Sequence, residues 1–150
     1  MEIAIKIGII LGVFLLMEGV AWFAHKYIMH GFGWTWHEDH HNMHKGFFEK
    51  NDYYALVFTP IAIFCIVYGD LNAEYWYLFH IGLGITLYGL FYFIFHDLIV
   101  HRRLKFKFAT KSKYMKRIMY AHYVHHKTHT KEGAEAFGFL YAPKKYEKKS

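Results

Sequence analysis

Three apolar runs, residues 7–24, 53–69 and 75–95, set the terms for this chain. Their lengths of 18, 17 and 21 residues are each close to what an α-helix needs to cross about 30 Å of hydrocarbon. An ordinary soluble domain of 150 residues seldom carries 55% hydrophobic and 21% aromatic side chains. The chain therefore reads as one all-α, polytopic membrane domain, residues 1–150, with about three transmembrane helices. The second run holds Pro60, which predicts either a kinked span or one arm of a tight helical hairpin with the third. The first run is read as a retained anchor, because Glu2 offsets Lys6 ahead of it and it exceeds the length of a signal-peptide apolar core. Cys65 has no partner within the chain, so no disulfide framework is expected.

Charge fixes an orientation. Residues 1–101 contain four Lys/Arg against nine Asp/Glu, and residues 102–150 fourteen against three. Arg102, Arg103, Lys105, Lys107, Lys111, Lys113, Lys116 and Arg117 are read as a cytoplasmic flank rather than a nucleic-acid patch, because they follow apolar spans. The connector between the second and third runs holds Asp70 and Glu74 and no cation, whereas Lys26, Lys45 and Lys50 follow the first. The N-terminus is thus predicted outside and the C-terminus in the cytosol. Residues 25–52 and 96–139 then form a cap on one cytosolic face, followed by a basic tail, 140–150, with Lys144, Lys145, Lys148 and Lys149 solvated or facing lipid headgroups. A helix is predicted over 112–129, and the chain beyond Gly133 reads as a short surface segment.

Ten of the thirteen histidines repeat one pattern twice. His25 and His30 precede His37, His40 and His41, and His96 and His101 precede His122, His125 and His126. On a helix, positions i, i+3 and i+4 share a face, so each triplet makes a chelating surface. Positions i and i+5 lie about 140° apart on an α-helix. Either a π-type bulge intervenes in each pair, or each pair serves two ions. Ten imidazoles nearly fill two six-coordinate ions, and iron, copper, zinc and nickel all suit them. Asp39 and Asp97 are candidate carboxylates for orienting ligand rings, with a solvated or helix-end charge as the alternative. Glu18 is costly inside a span and is expected to face protein or a polar cavity. Of the other histidines, His80 falls near the opposite boundary, while His44 and His129 trail their clusters as ring-contacting or surface groups.

These motifs match the histidine boxes of the fatty acid hydroxylase superfamily of integral-membrane non-haem di-iron enzymes. The runs Trp22-Phe23-Ala24-His25-Lys26-Tyr27-Ile28-Met29-His30-Gly31-Phe32, Trp36-His37-Glu38-Asp39-His40-His41 and Phe48-Glu49-Lys50-Asn51-Asp52 resemble the bacterial β-carotene 3-hydroxylase family. So do His96-Asp97-Leu98-Ile99-Val100-His101 and Ala121-His122-Tyr123-Val124-His125-His126. The resemblance implies two iron ions held by the ten histidines, O2 as co-substrate, and β-carotene hydroxylated through cryptoxanthin to zeaxanthin in the bacterial cytoplasmic membrane. It also implies reduced ferredoxin as an external electron donor, since no cluster or flavin motif is present in the chain. Phe32, Trp34 and Trp36, with Phe47 and Phe48, are candidates for the substrate-ring pocket or for an interfacial aromatic belt. The rival readings are a ketolase or hydroxylase acting on another lipid, a membrane metal carrier with ligands inside its spans, and a haem protein, which would not explain the triplets.

Overall fold

The computed structural model describes residues 1–42, 46–104 and 108–147. His44, Lys45, Lys105, Lys107, Lys148 and Lys149, which enter the reading above, lie outside the described residues. Helices account for every regular element among those described, in the order α1 (Glu2–Phe23), α2 (Trp34–His41), α3 (Ala55–Leu71), α4 (Trp76–Tyr92) and α5 (Lys113–His125). Two π-helical stretches, Ala24–Phe32 and Phe93–Val100, continue α1 and α4.

Three helical rods, Glu2–Phe32, Lys50–Leu71 and Ala73–Val100, are long and apolar enough to cross a membrane, the first kinked near its end where His30 and Gly31 leave helical geometry. The chain is an integral membrane protein. The rods outrun the apolar runs because their polar and histidine-bearing ends stay helical; at the N-terminus, Lys6 pairs with Glu2 one turn away. Their flanks expose Leu11, Leu15, Leu56, Ile63, Phe64 and Leu90, as expected where lipid is the solvent. Of the two readings of Pro60, the structure takes the hairpin: α3 runs through Pro60, and a single 3-10 turn, Ala73–Tyr75, reverses the chain into α4.

Helix α4 lies between α1 and α3. Glycine lets the backbones close in: a Cβ at Gly82 would stand 2.6 Å from Cγ1 of Ile66, and one at Gly84 2.7 Å from Cβ of Val13. Small residues at span interfaces permit this approach where lipid gives no hydrophobic drive to associate.

Outside the spans, Ser112 caps α5 by accepting the Met115 N–H at 3.3 Å. The helix ends at His125, earlier than the predicted 129, because the chain then turns back toward the spans. The stretch beyond Gly133 corrects the sequence reading, since it is not a surface segment. Phe139, Ala142 and Tyr146 are buried, and the last two join Phe95, Ile118 and Ala121 in the core beneath α5. This strap is fastened from within span one, where Glu18 accepts the N–H groups of Phe139 at 2.7 Å and Leu140 at 2.8 Å and the Tyr88 hydroxyl at 2.8 Å. The intramembrane carboxylate thus faces protein, and each of these three contacts comes from a donor.

Candidate metal centre

The i, i+5 histidine pairs owe their convergence to π-helical turns, joined in the first pair by a kink at His30 and Gly31. The His101 N–H donates to the His96 carbonyl at 2.9 Å, and the Gly33 N–H to Ile28 at 2.9 Å, both five residues back. The wider turn cancels the angular offset of an α-helix. His25 and His30 rings come within 5.4 Å, and those of His96 and His101 within 4.4 Å.

All ten repeated histidines gather at one end of the three rods, in two groups of five. His25, His30, His37, His41 and His125 form the first, and His40, His96, His101, His122 and His126 the second. Within each group one ligand nitrogen per residue lies within 4.8 Å of the others. Each i, i+5 pair serves one group, so the two-ion alternative for the pairs is not taken. The triplets, expected to act as single surfaces, are instead divided. His37 and His41 join the first group and His40 the second; His122 and His126 join the second and His125 the first. The i, i+4 positions share a side and the i+3 ring turns to the neighbouring group. The groups abut, with His41 stacked on His126 at 4.5 Å.

What the far side of each ring touches decides its tautomer. The Nδ1–H groups of His25, His30, His41 and His125 donate to the main-chain carbonyls of Phe137 (3.0 Å), Lys131 (2.9 Å), Thr128 (2.7 Å) and Glu135 (2.9 Å). His37 donates to Oδ1 of Asn51 at 2.7 Å. In the second group, His40 donates to Glu49 at 2.6 Å and His96 to Asp97 at 2.7 Å. A carbonyl or carboxylate oxygen only accepts, so these seven rings carry their proton on Nδ1 and present a bare lone pair at Nε2.

Those lone pairs point at one another. Nε2 of His25 is 3.1 Å from that of His37, His41 is 3.2 Å from His30 and from His37, His30 is 3.3 Å from His125, and His40 is 3.2 Å from His96. With no proton to share, each pair repels unless a cation lies between. Buried Nδ1 of His122 and Nε2 of His126 have no protein partner either, and such orphans are rare without a ligand. The donor set therefore fits metal ions, since ligating histidines must be neutral. Burial, aided by neighbouring histidines and for His101 first by Arg103, holds His101 and His41 down to about 4 and His125 to about 3, and pushes His40, His122 and His126 well below the usual imidazole range.

Arg103 ties the surroundings of the second group together. Its side chain, 7% exposed, grips Asp52 with both terminal nitrogens (2.7 and 3.0 Å), donates to Glu49 at 3.2 Å and stands 3.7 Å from Asp97. Glu49 and Asp52 also close a capping box on the turn Lys50–Tyr54, which sets Asn51 beneath His37.

The other candidates divide. Asp97 sits against His96, but Asp39, expected as an orienting carboxylate, accepts the Lys50 N–H at 2.8 Å and touches no histidine among the described contacts. It pins the loop carrying Glu49, which takes the role expected of it. Trp34 packs on His30 at 5.2 Å and His41 at 5.4 Å. Trp36 instead lies on Tyr53 and Tyr54, and Phe32 is 84% exposed, so neither lines the histidines. The aromatic wall comes from Phe137, against His25, His30 and His125, and from Phe139, which spans both groups through His25, His96 and His122. Sequence reasoning missed both, together with Glu49, Asn51 and the four carbonyls; Glu49 and Asn51 lie in the quoted run Phe48–Asp52, while carbonyl acceptors leave no residue signature. His129 donates to the His41 carbonyl at 2.8 Å, and His80 sits at the opposite end, bonded to the Trp76 carbonyl.

No family model and no solved structure matches the chain. Known proteins do. It is 49% identical to the beta-carotene hydroxylase of Pseudescherichia vulneris over 130 residues, 87% of this chain and 73% of that protein. With the beta-carotene hydroxylase of Pantoea ananas the identity is 50% over 127 residues, 85% and 71% of the two chains. The chloroplastic beta-carotene 3-hydroxylase 2 of Arabidopsis thaliana shares 34% over 146 residues, 96% of this chain and 46% of that longer protein. With about half of its residues shared along most of both bacterial chains, this protein belongs to the beta-carotene hydroxylase family.

Proposed function

We propose that this protein hydroxylates the β-rings of β-carotene at carbon 3, giving cryptoxanthin and then zeaxanthin, with two iron ions held by the ten histidines. The observation that carries the metal reading is the set of Nε2 lone pairs fixed toward one another by oxygens behind the rings; the substrate follows from the family. Bound iron supplies the activation of O2, and the overall change is C–H + O2 + 2 e⁻ + 2 H⁺ → C–OH + H2O. The protein's part is placement and exclusion of water. Eight of the ten rings are buried, and the five imidazoles of each group would hold an ion while leaving room for oxygen to reach it. Trp34, Phe137 and Phe139 give the centre an apolar border suited to a hydrocarbon ring. The substrate reaches it laterally from the bilayer that the exposed apolar flanks require. The basic chain beyond residue 101 supports a centre at the cytosolic leaflet, with reduced ferredoxin as the proposed electron donor.

Expression in a β-carotene-accumulating host tests this. Zeaxanthin should appear with the natural chain and vanish with His40→Ala or His125→Ala. Hydroxylated product surviving those substitutions, or a ketone in its place, would overturn the reading.

A further inference from the structure

The two groups of histidines are not copies of each other in what stands behind the rings. In the first group all five rings donate to neutral oxygens, four main-chain carbonyls and one amide. In the second, two rings donate to carboxylates, Glu49 and Asp97, and Arg103 bridges the pair. A carboxylate behind an imidazole N–H draws the proton outward and makes the opposite nitrogen a stronger donor, as well as fixing the ring. Anionic charge beside a bound ion also favours its higher charge state, only partly offset by a single guanidinium shared among Glu49, Asp52 and Asp97.

We infer that the protein builds two unlike metal positions: a neutral-backed one formed by His25, His30, His37, His41 and His125, and a carboxylate-backed one formed by His40, His96, His101, His122 and His126 that holds iron in the higher oxidation state more strongly. The inference rests on the dinuclear reading above. Arg103 is a positioning residue in it, since it reaches the rings only through Glu49 and Asp97. One equivalent of ferricyanide, reduced to ferrocyanide, should take its electron from the carboxylate-backed Fe(II) first and leave the other ferrous.

The test is Mössbauer spectroscopy of the full chain loaded with ⁵⁷Fe(II) in detergent, alongside iron analysis. Two irons per chain should give two quadrupole doublets of equal area, and one oxidising equivalent should convert only one of them. Glu49→Gln and Asp97→Asn, two separate variants, should each shift that same doublet and raise the potential at which it oxidises, whereas Asn51→Asp should move the other. Two irons with a single doublet, or Glu49→Gln and Asn51→Asp shifting both doublets alike, would overturn the inequality while leaving the dinuclear centre standing. Fewer than two irons per chain would overturn the dinuclear reading itself.

Discussion

Replacing Glu18 by alanine isolates the role of the span-one carboxylate that fastens the strap. The change removes the acceptor of two main-chain N–H groups and of the Tyr88 hydroxyl. Hydrogen bonds to a charged acceptor contribute about 1.5–3 kcal/mol each, and buried donors left unpaired add to the loss. Three such bonds come to about 4.5–9 kcal/mol as an upper figure, less whatever water recovers. The strap they fasten carries the Glu135 and Phe137 carbonyls that orient His125 and His25, both in the first histidine group. Glu18→Ala should therefore lower the melting temperature in detergent by on the order of 10 °C, and bound iron should fall toward one per chain. Glu18→Gln keeps an oxygen for the two N–H groups and should lose less than half as much. A Glu18→Ala protein that melts as the natural one does and keeps its full metal would refute the reasoning.

Other consequences can be read off the same geometry. For metal-free protein, His41 and His101 sit at about 4 in the folded state against about 6.5 unfolded, so the unfolded chain binds more protons between those values. Stability is then lost as pH falls from about 6.5 to about 4, by about 3 kcal/mol for each such histidine, and denaturant titrations at pH 7.5 and 5 should show it; equal midpoints would contradict it. Gly84→Leu would drive its side chain into Val13 and the Ile10 carbonyl, whereas Gly89 has open space. The first should destabilise by about 1–3 kcal/mol and Gly89→Leu by little, as thermal melts in detergent would record. Ala136 has φ +62° between the two carbonyls that hold His125 and His25. Relief of a left-handed alanine should let Ala136→Gly match or exceed the natural stability while Ala136→Val falls by about 1–2 kcal/mol, read from the same melts.

The sequence announced the spans and the ten histidines because both signals are periodic: long apolar runs, and imidazoles repeated at fixed offsets. The π-helical turns were legible as one of two alternatives, since an α-helix cannot bring His25 and His30, or His96 and His101, to one point. The division of the triplets was not legible. Spacing tells which rings share a helix face but not that i+3 turns to a second group, which depends on how α2 and α5 meet the spans. The segment beyond Gly133 was misread for a related reason. Phe137, Phe139 and Tyr146 are an apolar signal that the sequence does carry, whereas the carbonyl oxygens and the N–H groups that Glu18 holds leave none, since main-chain groups are alike at every position. Asp39 and Glu49 were equivalent as carboxylates near the triplet; only the fold of the capping box turns Glu49 to His40 and Asp39 to Lys50.

Elemental analysis of catalytically active, anaerobically purified protein bears most directly on the whole account. Two irons per chain, falling in step with hydroxylase activity when a chelator removes them and returning with it on reloading with Fe(II), is the predicted result. Full activity in preparations free of transition metal would contradict it.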